Sequence, residues 1–203
     1  MPQMNIPMFD SLEHQGFLRQ YMHNALYYNY GNGKYAEISQ LAGVDKTDWS
    51  WSSMIEDFDM DGYKDIFVTN GYRMDVYDQD GNAKIKEMAG KNGAGMMLKS
   101  PDEFYQFLPS VKAVNYIYKN NGDLTFSKKM KEWGIQEASF SNGSATADLD
   151  NDGDLDIVIN NIDEEAFLYR NNSNQRSNYL QMELTGPQGN LDAIGARIQV
   201  YTP

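Results

Sequence analysis

Two stretches, Asp57-Phe58-Asp59-Met60-Asp61-Gly62-Tyr63-Lys64-Asp65 and Asp148-Leu149-Asp150-Asn151-Asp152-Gly153-Asp154-Leu155-Asp156, decide how this chain folds. Both fit D-x-D-x-D-G-x-x-D, with carboxylates at positions 1, 3, 5 and 9. So many like charges in so short a loop repel one another, and a cation relieves the repulsion. Calcium prefers an all-oxygen cage of about six to eight ligands, which such a loop supplies. Glycine at position 6 permits the sharp reversal that returns the last Asp to the ion. Position 7 offers a backbone carbonyl, from Tyr63 in the first loop and from Asp154 in the second. The expected metal ligands are therefore Asp57, Asp59, Asp61, Tyr63 and Asp65, then Asp148, Asp150, Asp152, Asp154 and Asp156, holding one Ca2+ per loop. Magnesium demands a smaller octahedron and keeps its waters. Zinc would want His or Cys, and neither His14 nor His23 adjoins a loop. An EF-hand needs Glu at position 12 between helices; that position is Val68 or Ile159, inside a β-branched run. Strands therefore carry these loops, with Phe58 and Leu149 expected to point into a sheet core. No nucleophile or base stands beside the carboxylates, so the sites read as structural, not catalytic.

Outward from the loops the chain repeats itself. Leu26-Tyr-Tyr-Asn29-Tyr-Gly-Asn-Gly33-Lys-Tyr35 returns as Ile117-Tyr-Lys-Asn120-Asn-Gly-Asp-Leu124-Thr-Phe126, with the same offset of 91 residues as from Asp57 to Asp148. A third, partial copy, Ala166-Phe-Leu-Tyr169-Arg-Asn-Asn172, lies 51 residues after its counterpart, as from Tyr118 to Tyr169. The unit is thus about 50 residues, and the first interval carries an insertion of about 40. Each unit reads as strand, Asn-Gly turn, strand, then a polar link, a strand, the acidic loop and another strand. Four short strands per unit match one propeller blade. The fold expectation is all-β: a partial β-propeller of four-stranded blades whose hairpin loops bind calcium. A lone blade cannot bury both faces, and two blades and a fraction do not close a ring, so the chain reads as part of a larger propeller.

The organisation that follows is a lead-in over 1–23, blade repeat 1 over 24–71, a partly helical insertion over 72–113, and blade repeat 2 over 114–165. Repeat 3 starts over 166–177, and 178–203 opens a second β module. In the insertion, Ser100-Pro101-Asp102-Glu103 forms a capping box for a helix that Leu108-Pro109 ends. Asp78-Gln-Asp80-Gly81 lacks the later Asp and reads as a turn. In the tail, Asn178–Leu184 and Ala193–Tyr201 have strand patterns separated by a Gly-Pro turn. Trp49 and Trp51 are expected to pack between blades, or else to form a carbohydrate-stacking platform.

Composition excludes several classes. Seventeen Lys and Arg against 29 Asp and Glu give a net charge of -12, which repels a nucleic-acid backbone. There is no cysteine, hence no thiol catalysis, disulfide or thiolate metal site. No apolar stretch approaches the roughly 20 residues of a membrane span. The N-terminus lacks the basic and apolar regions of a signal peptide, so any export signal is expected upstream of Met1. No Walker, H-E-x-x-H or G-x-S-x-G pattern occurs.

The two acidic loops, with the hairpin Asn115–Phe126, resemble FG-GAP/VCBS-like repeats. That resemblance implies integrin-type propeller blades with calcium at loop positions 1, 3, 5 and 9. The tail Asn178-Tyr-Leu-Gln-Met-Glu-Leu184 with Asp192-Ala-Ile-Gly-Ala-Arg197-Ile-Gln-Val200 resembles the start of an ASPIC/UnbV domain. The combination is similar to bacterial secreted proteins related to the cartilage acidic protein group. The Phe-Gly dipeptide expected before each loop is missing; Trp51-Ser-Ser53 and Ser141-Asn-Gly-Ser144 stand there. The resemblance implies a non-enzymatic module for scaffolding, adhesion or recognition, secreted, periplasmic or at the outer cell surface, with a protein or carbohydrate ligand. The alternative is a polysaccharide-active propeller enzyme, a lyase or hydrolase with calcium beside its substrate.

Overall fold

The computed structural model describes residues 6–16, 23–75, 78–92, 107–175, 179–180 and 182–201. Helix α1 (Ile6–His14) is followed by strands β1 (Tyr27–Gly31) and β2 (Lys34–Glu37), a single turn of helix α2 (Ser39–Ala42), then β3 (Ser50–Glu56) and β4 (Asp65–Asn70). After helix α3 (Gln79–Asn92) come β5 (Ala113–Val114), β6 (Tyr116–Asn120), β7 (Phe126–Lys128), β8 (Ala138–Ser139), β9 (Ser141–Ala147), β10 (Asp156–Asn161) and β11 (Phe167–Tyr169). The fold is mostly β-sheet with few helices, and no closed barrel or propeller is seen among the described residues.

The sheets group the strands differently from the sequence repeat. One sheet has the order β3-β4-β6-β7 and a second has β9-β10-β11, all pairs antiparallel. The first acidic-loop hairpin thus pairs with the Asn-Gly hairpin of the following copy, and the second with the single strand β11 of the copy after that, neither with the hairpin that precedes it in its own unit. The hairpin β1-β2 stands apart as a two-stranded sheet. The third copy, through β11, belongs to the second sheet. Register explains the choice: Ile66 pairs with Tyr118, Phe67 with Ile117 and Val68 with Tyr116, aligning two apolar runs on both faces.

All of β4 is buried, because both faces of its sheet are covered. On one face Ile66, Val68 and Tyr118 pack with Ala42 at the end of α2 and Val44 just after it. On the other, Phe58, Phe67 and Ile117 meet Ile157 and Ile159 of the second sheet, together with Ile135. Ile135 is the copy of Val44, and Ile157 and Ile159 are the copies of Ile66 and Val68. The same packing therefore recurs from one sheet to the next. Full burial of apolar side chains of this size is worth about 1.5–3 kcal/mol each. At the sheet ends away from the acidic loops, a buried polar seam joins the two layers. The Asn70 N–H donates to Asn115 Oδ1 (2.9 Å), Asn115 Nδ2 to Ser141 Oγ (2.9 Å), and Ser141 Oγ to Asn161 Oδ1 (2.8 Å).

Several expectations are corrected. Asp78-Gln-Asp80-Gly81 is a helix start, since Asp78 Oδ1 accepts the Gly81 N–H (2.6 Å) and caps α3. The capping box at Ser100–Glu103 lies outside the described residues. In the tail, residues 179–180 and 182–201 form no strand. A strand pattern cannot become a strand without a partner edge, and the apolar positions stay open: Leu180, Ile194 and Tyr201 are exposed. Phe58 is buried between the sheets, but Leu149, its copy, is half exposed because no third sheet covers it among the described residues. Trp51 is also exposed, its Nε1 donating to the Gly71 carbonyl, while Trp49 packs on Tyr72 at 5.2 Å. Neither tryptophan ring joins the core between the sheets.

Candidate metal centre

Each acidic loop connects the paired strands of one hairpin, β3 to β4 and β9 to β10, so its two ends are held at strand spacing. Two backbone reversals fold it. Position 4 takes the left-handed conformation (Met60 φ 56°, Asn151 φ 58°), as does the glycine at position 6 (Gly62 φ 93°, Gly153 φ 96°). The carboxylate at position 1 then accepts two loop N–H groups. Asp57 accepts from Asp61 (3.1 Å) and Gly62 (2.9 Å), and Asp148 accepts from Asp152 (3.0 Å) and Gly153 (3.0 Å). Position 5 accepts from position 7, Asp61 from the Tyr63 N–H at 2.9 Å and Asp152 from the Asp154 N–H at 3.3 Å. Two loops 91 residues apart thus share one internal geometry.

Positions 1, 3 and 5 converge. Asp57, Asp59 and Asp61 each present a carboxylate oxygen within 4.8 Å of the others, and so do Asp148, Asp150 and Asp152. Position 9 stands outside these triads. Asp65 is fully buried, and its two oxygens accept the N–H of Phe58 (3.0 Å) and of Asn120 (2.9 Å). Asp156 does the same with Leu149 (3.1 Å) and Asn171 (2.8 Å). The ninth carboxylate therefore staples its loop shut and ties it to the neighbouring strand. Burial raises the Asp65 carboxyl to about 6, above the usual carboxylate range.

Position 7 separates the two loops. Tyr63 is an exposed ring lying over Gly122, whereas the Asp154 side chain is only 2% exposed. Asp154 Oδ2 accepts the Asn174 N–H (3.0 Å), and Oδ1 is buried with no hydrogen-bond partner among the described residues. Burial, reinforced by Asp152 beside it, raises the Asp154 carboxyl. Asp59 Oδ1 is a second buried carboxylate oxygen without a hydrogen-bond partner among the described residues. Orphaned buried acceptors beside a converging triad are the pattern that a bound hard cation satisfies. The donor set, all oxygen and all anionic, suits calcium and offers no nitrogen or sulfur to softer metals.

Three kinds of residue around the loops were not singled out from sequence. Asn120 and Asn171 send their side-chain amides to the position-8 carbonyls of Lys64 (2.9 Å) and Leu155 (3.2 Å). Asn171 Nδ2 and Ser173 Oγ also donate to the Phe58 carbonyl (2.7 and 2.8 Å), joining the first loop to the second sheet. Lys119 and Arg170 lie on the triads themselves. Lys119 Nζ contacts Asp59 Oδ2 and, at 2.5 Å, Asp61 Oδ2. Arg170 contacts Asp150 Oδ2 (2.7 Å) and Asp152 Oδ2 (3.3 Å). The signal was present in the repeated Tyr-Lys-Asn-Asn and Tyr-Arg-Asn-Asn, which read as strand and turn alone.

A search among curated proteins finds no match to this chain. Residues 107–159, which include β5, the Asn-Gly hairpin and the second acidic loop and end within β10, match the family described as FG-GAP-like repeat.

Proposed function

We propose that this chain is a calcium-binding, non-enzymatic β-propeller module of an extracellular or cell-surface protein, used for scaffolding, adhesion or ligand recognition. The observation that carries the reading is the pair of Asp triads in one loop geometry, accompanied by the orphaned buried oxygens of Asp59 and Asp154. Asp57, Asp59 and Asp61 would hold one ion, and Asp148, Asp150, Asp152 and Asp154 the other. A bound ion there neutralises carboxylates that otherwise repel, and so clips each hairpin closed.

The propeller part of the reading rests on the recurring sheet-on-sheet packing. Phe58, Phe67 and Ile117 bury one face of the first sheet. Their copies on the second sheet are Leu149, Val158 and Leu168, of which Leu149 and Leu168 are 50% and 64% exposed. That face is suited to a further sheet of the same kind. The extracellular reading is supported by the FG-GAP-like match, and among the described residues no helix is long and apolar enough to cross a membrane. An acidic surface of net charge -12 favours protein or carbohydrate partners over nucleic acid.

Calorimetric titration of calcium into chelated protein, followed by thermal unfolding with and without the ion, tests the proposal. Two binding events and a large rise in melting temperature are expected, with Asp57→Ala and Asp148→Ala each removing one event. An unchanged melting temperature after rigorous chelation, with no heat of binding, refutes it.

A further inference from the structure

Lys119 and Arg170 occupy the same place in successive copies of the repeat, 51 residues apart, and each lies across the position-3 and position-5 carboxylates of an acidic loop. Their placement is built. The residue that follows each, Asn120 or Asn171, gives its N–H to the ninth carboxylate and its amide to the position-8 carbonyl. That double tie fixes the strand against the loop and delivers the preceding cation onto the triad. Two different basic residues, with different stems, reach the same pair of carboxylates in both copies.

We propose that Lys119 and Arg170 are tethered counter-cations: each occupies its triad when metal is absent and gives up the two carboxylates when a divalent ion enters. The inference rests on the calcium reading of the loops. In the metal-free chain the internal cation offsets part of the repulsion among the Asp side chains, so the loop holds its geometry before the ion arrives. The same contact lowers apparent calcium affinity, because the ion must displace a charge already seated on the oxygens it uses. Both side chains can withdraw, since their long stems end at the surface; Lys119 is 28% exposed and Arg170 64%. The better-shielded Lys119 holds its carboxylates more firmly than Arg170, whose contacts water screens.

Calcium titration of the chain and of Lys119→Met, Arg170→Met and Lys119→Arg, with melting curves in chelator and in calcium, decides the matter. Lys119→Met is expected to tighten one of the two sites by roughly tenfold and Arg170→Met the other by about threefold. Both should lower the melting temperature in chelator while leaving it nearly unchanged in calcium. Lys119→Arg should behave as the parent. If the parent binds calcium and the Met variants bind it equally or more weakly, the side chains are supports of the bound state and the tethered-cation proposal falls, while the calcium reading stands. If neither the parent nor any variant binds calcium, both fall.

Discussion

Replacing Asp65 separates the ninth carboxylate's role as a staple from a role as a metal ligand. Asp65 is fully buried and accepts two backbone N–H groups, from Phe58 and Asn120. In Asp65→Ala both donors lose their acceptor in a site that water does not reach, at about 1–3 kcal/mol each. Part of that loss is offset, because the carboxylate is itself costly to bury; its pKa is raised to about 6. The net expectation is a loss of about 2–3 kcal/mol. Asp65→Asn keeps one acceptor oxygen and removes the charge, and should lose about 1 kcal/mol. The assay is urea unfolding in chelator and again in saturating calcium. A staple gives the same loss in both conditions, and the increment due to calcium survives. A ligand gives little loss in chelator and abolishes the increment at the first loop. A metal-free Asp65→Ala protein within about 0.5 kcal/mol of the parent would refute the argument from the two buried N–H groups.

Two further outcomes follow from the same geometry. Gly71 has φ 148°, and a Cβ there would lie 2.6 Å from Phe140 Cα and Ser141 N, both backbone atoms that cannot swing aside. Gly71→Ala should therefore cost more than about 2 kcal/mol in urea unfolding, whereas Gly143→Ala, whose Cβ meets nothing within 4 Å, should not. Between about pH 6 and pH 4 the folded chain holds more protons than the unfolded one at Asp65, raised to about 6 from 3.8, and Asp154, also raised, acts in the same direction. Their contribution to stability is thus present at low pH and lost as pH rises through the folded values. Asp61 and Asp152 are lowered, and act only below the usual carboxylate range. The melting temperature in chelator should accordingly rise from pH 7 to pH 5 while the calcium increment shrinks, and a constant increment across that window would contradict the assignment.

The local chemistry of this chain was legible in its residues. The loop pattern announced the triads, because carboxylates at alternate positions of a tight loop converge whatever surrounds them. The turn Asn32-Gly33 announced its hairpin, since both residues take positive φ (53° and 72°) as a two-residue turn requires. What a residue does for a distant partner was not legible. The 91- and 51-residue offsets identified the unit but not which neighbour each hairpin would join. That choice lies in the register of Ile66–Val68 against Tyr116–Tyr118, a contact between copies. Phe58 and Leu149 hold equivalent positions, yet one is buried and the other half exposed, because burial depends on whether another sheet lies opposite. Asp65 and Asp156 read as ligands by spacing, and the structure adds a role that spacing does not show, since their oxygens accept the Asn120 and Asn171 N–H groups from a separate strand. The sequence alone thus determined the composition of each loop, its turns and the repeat. Only the tertiary structure decided which carboxylates remain open to an ion and which cation stands beside them, because hydrogen-bond partners and burial are set by segments far apart along the chain.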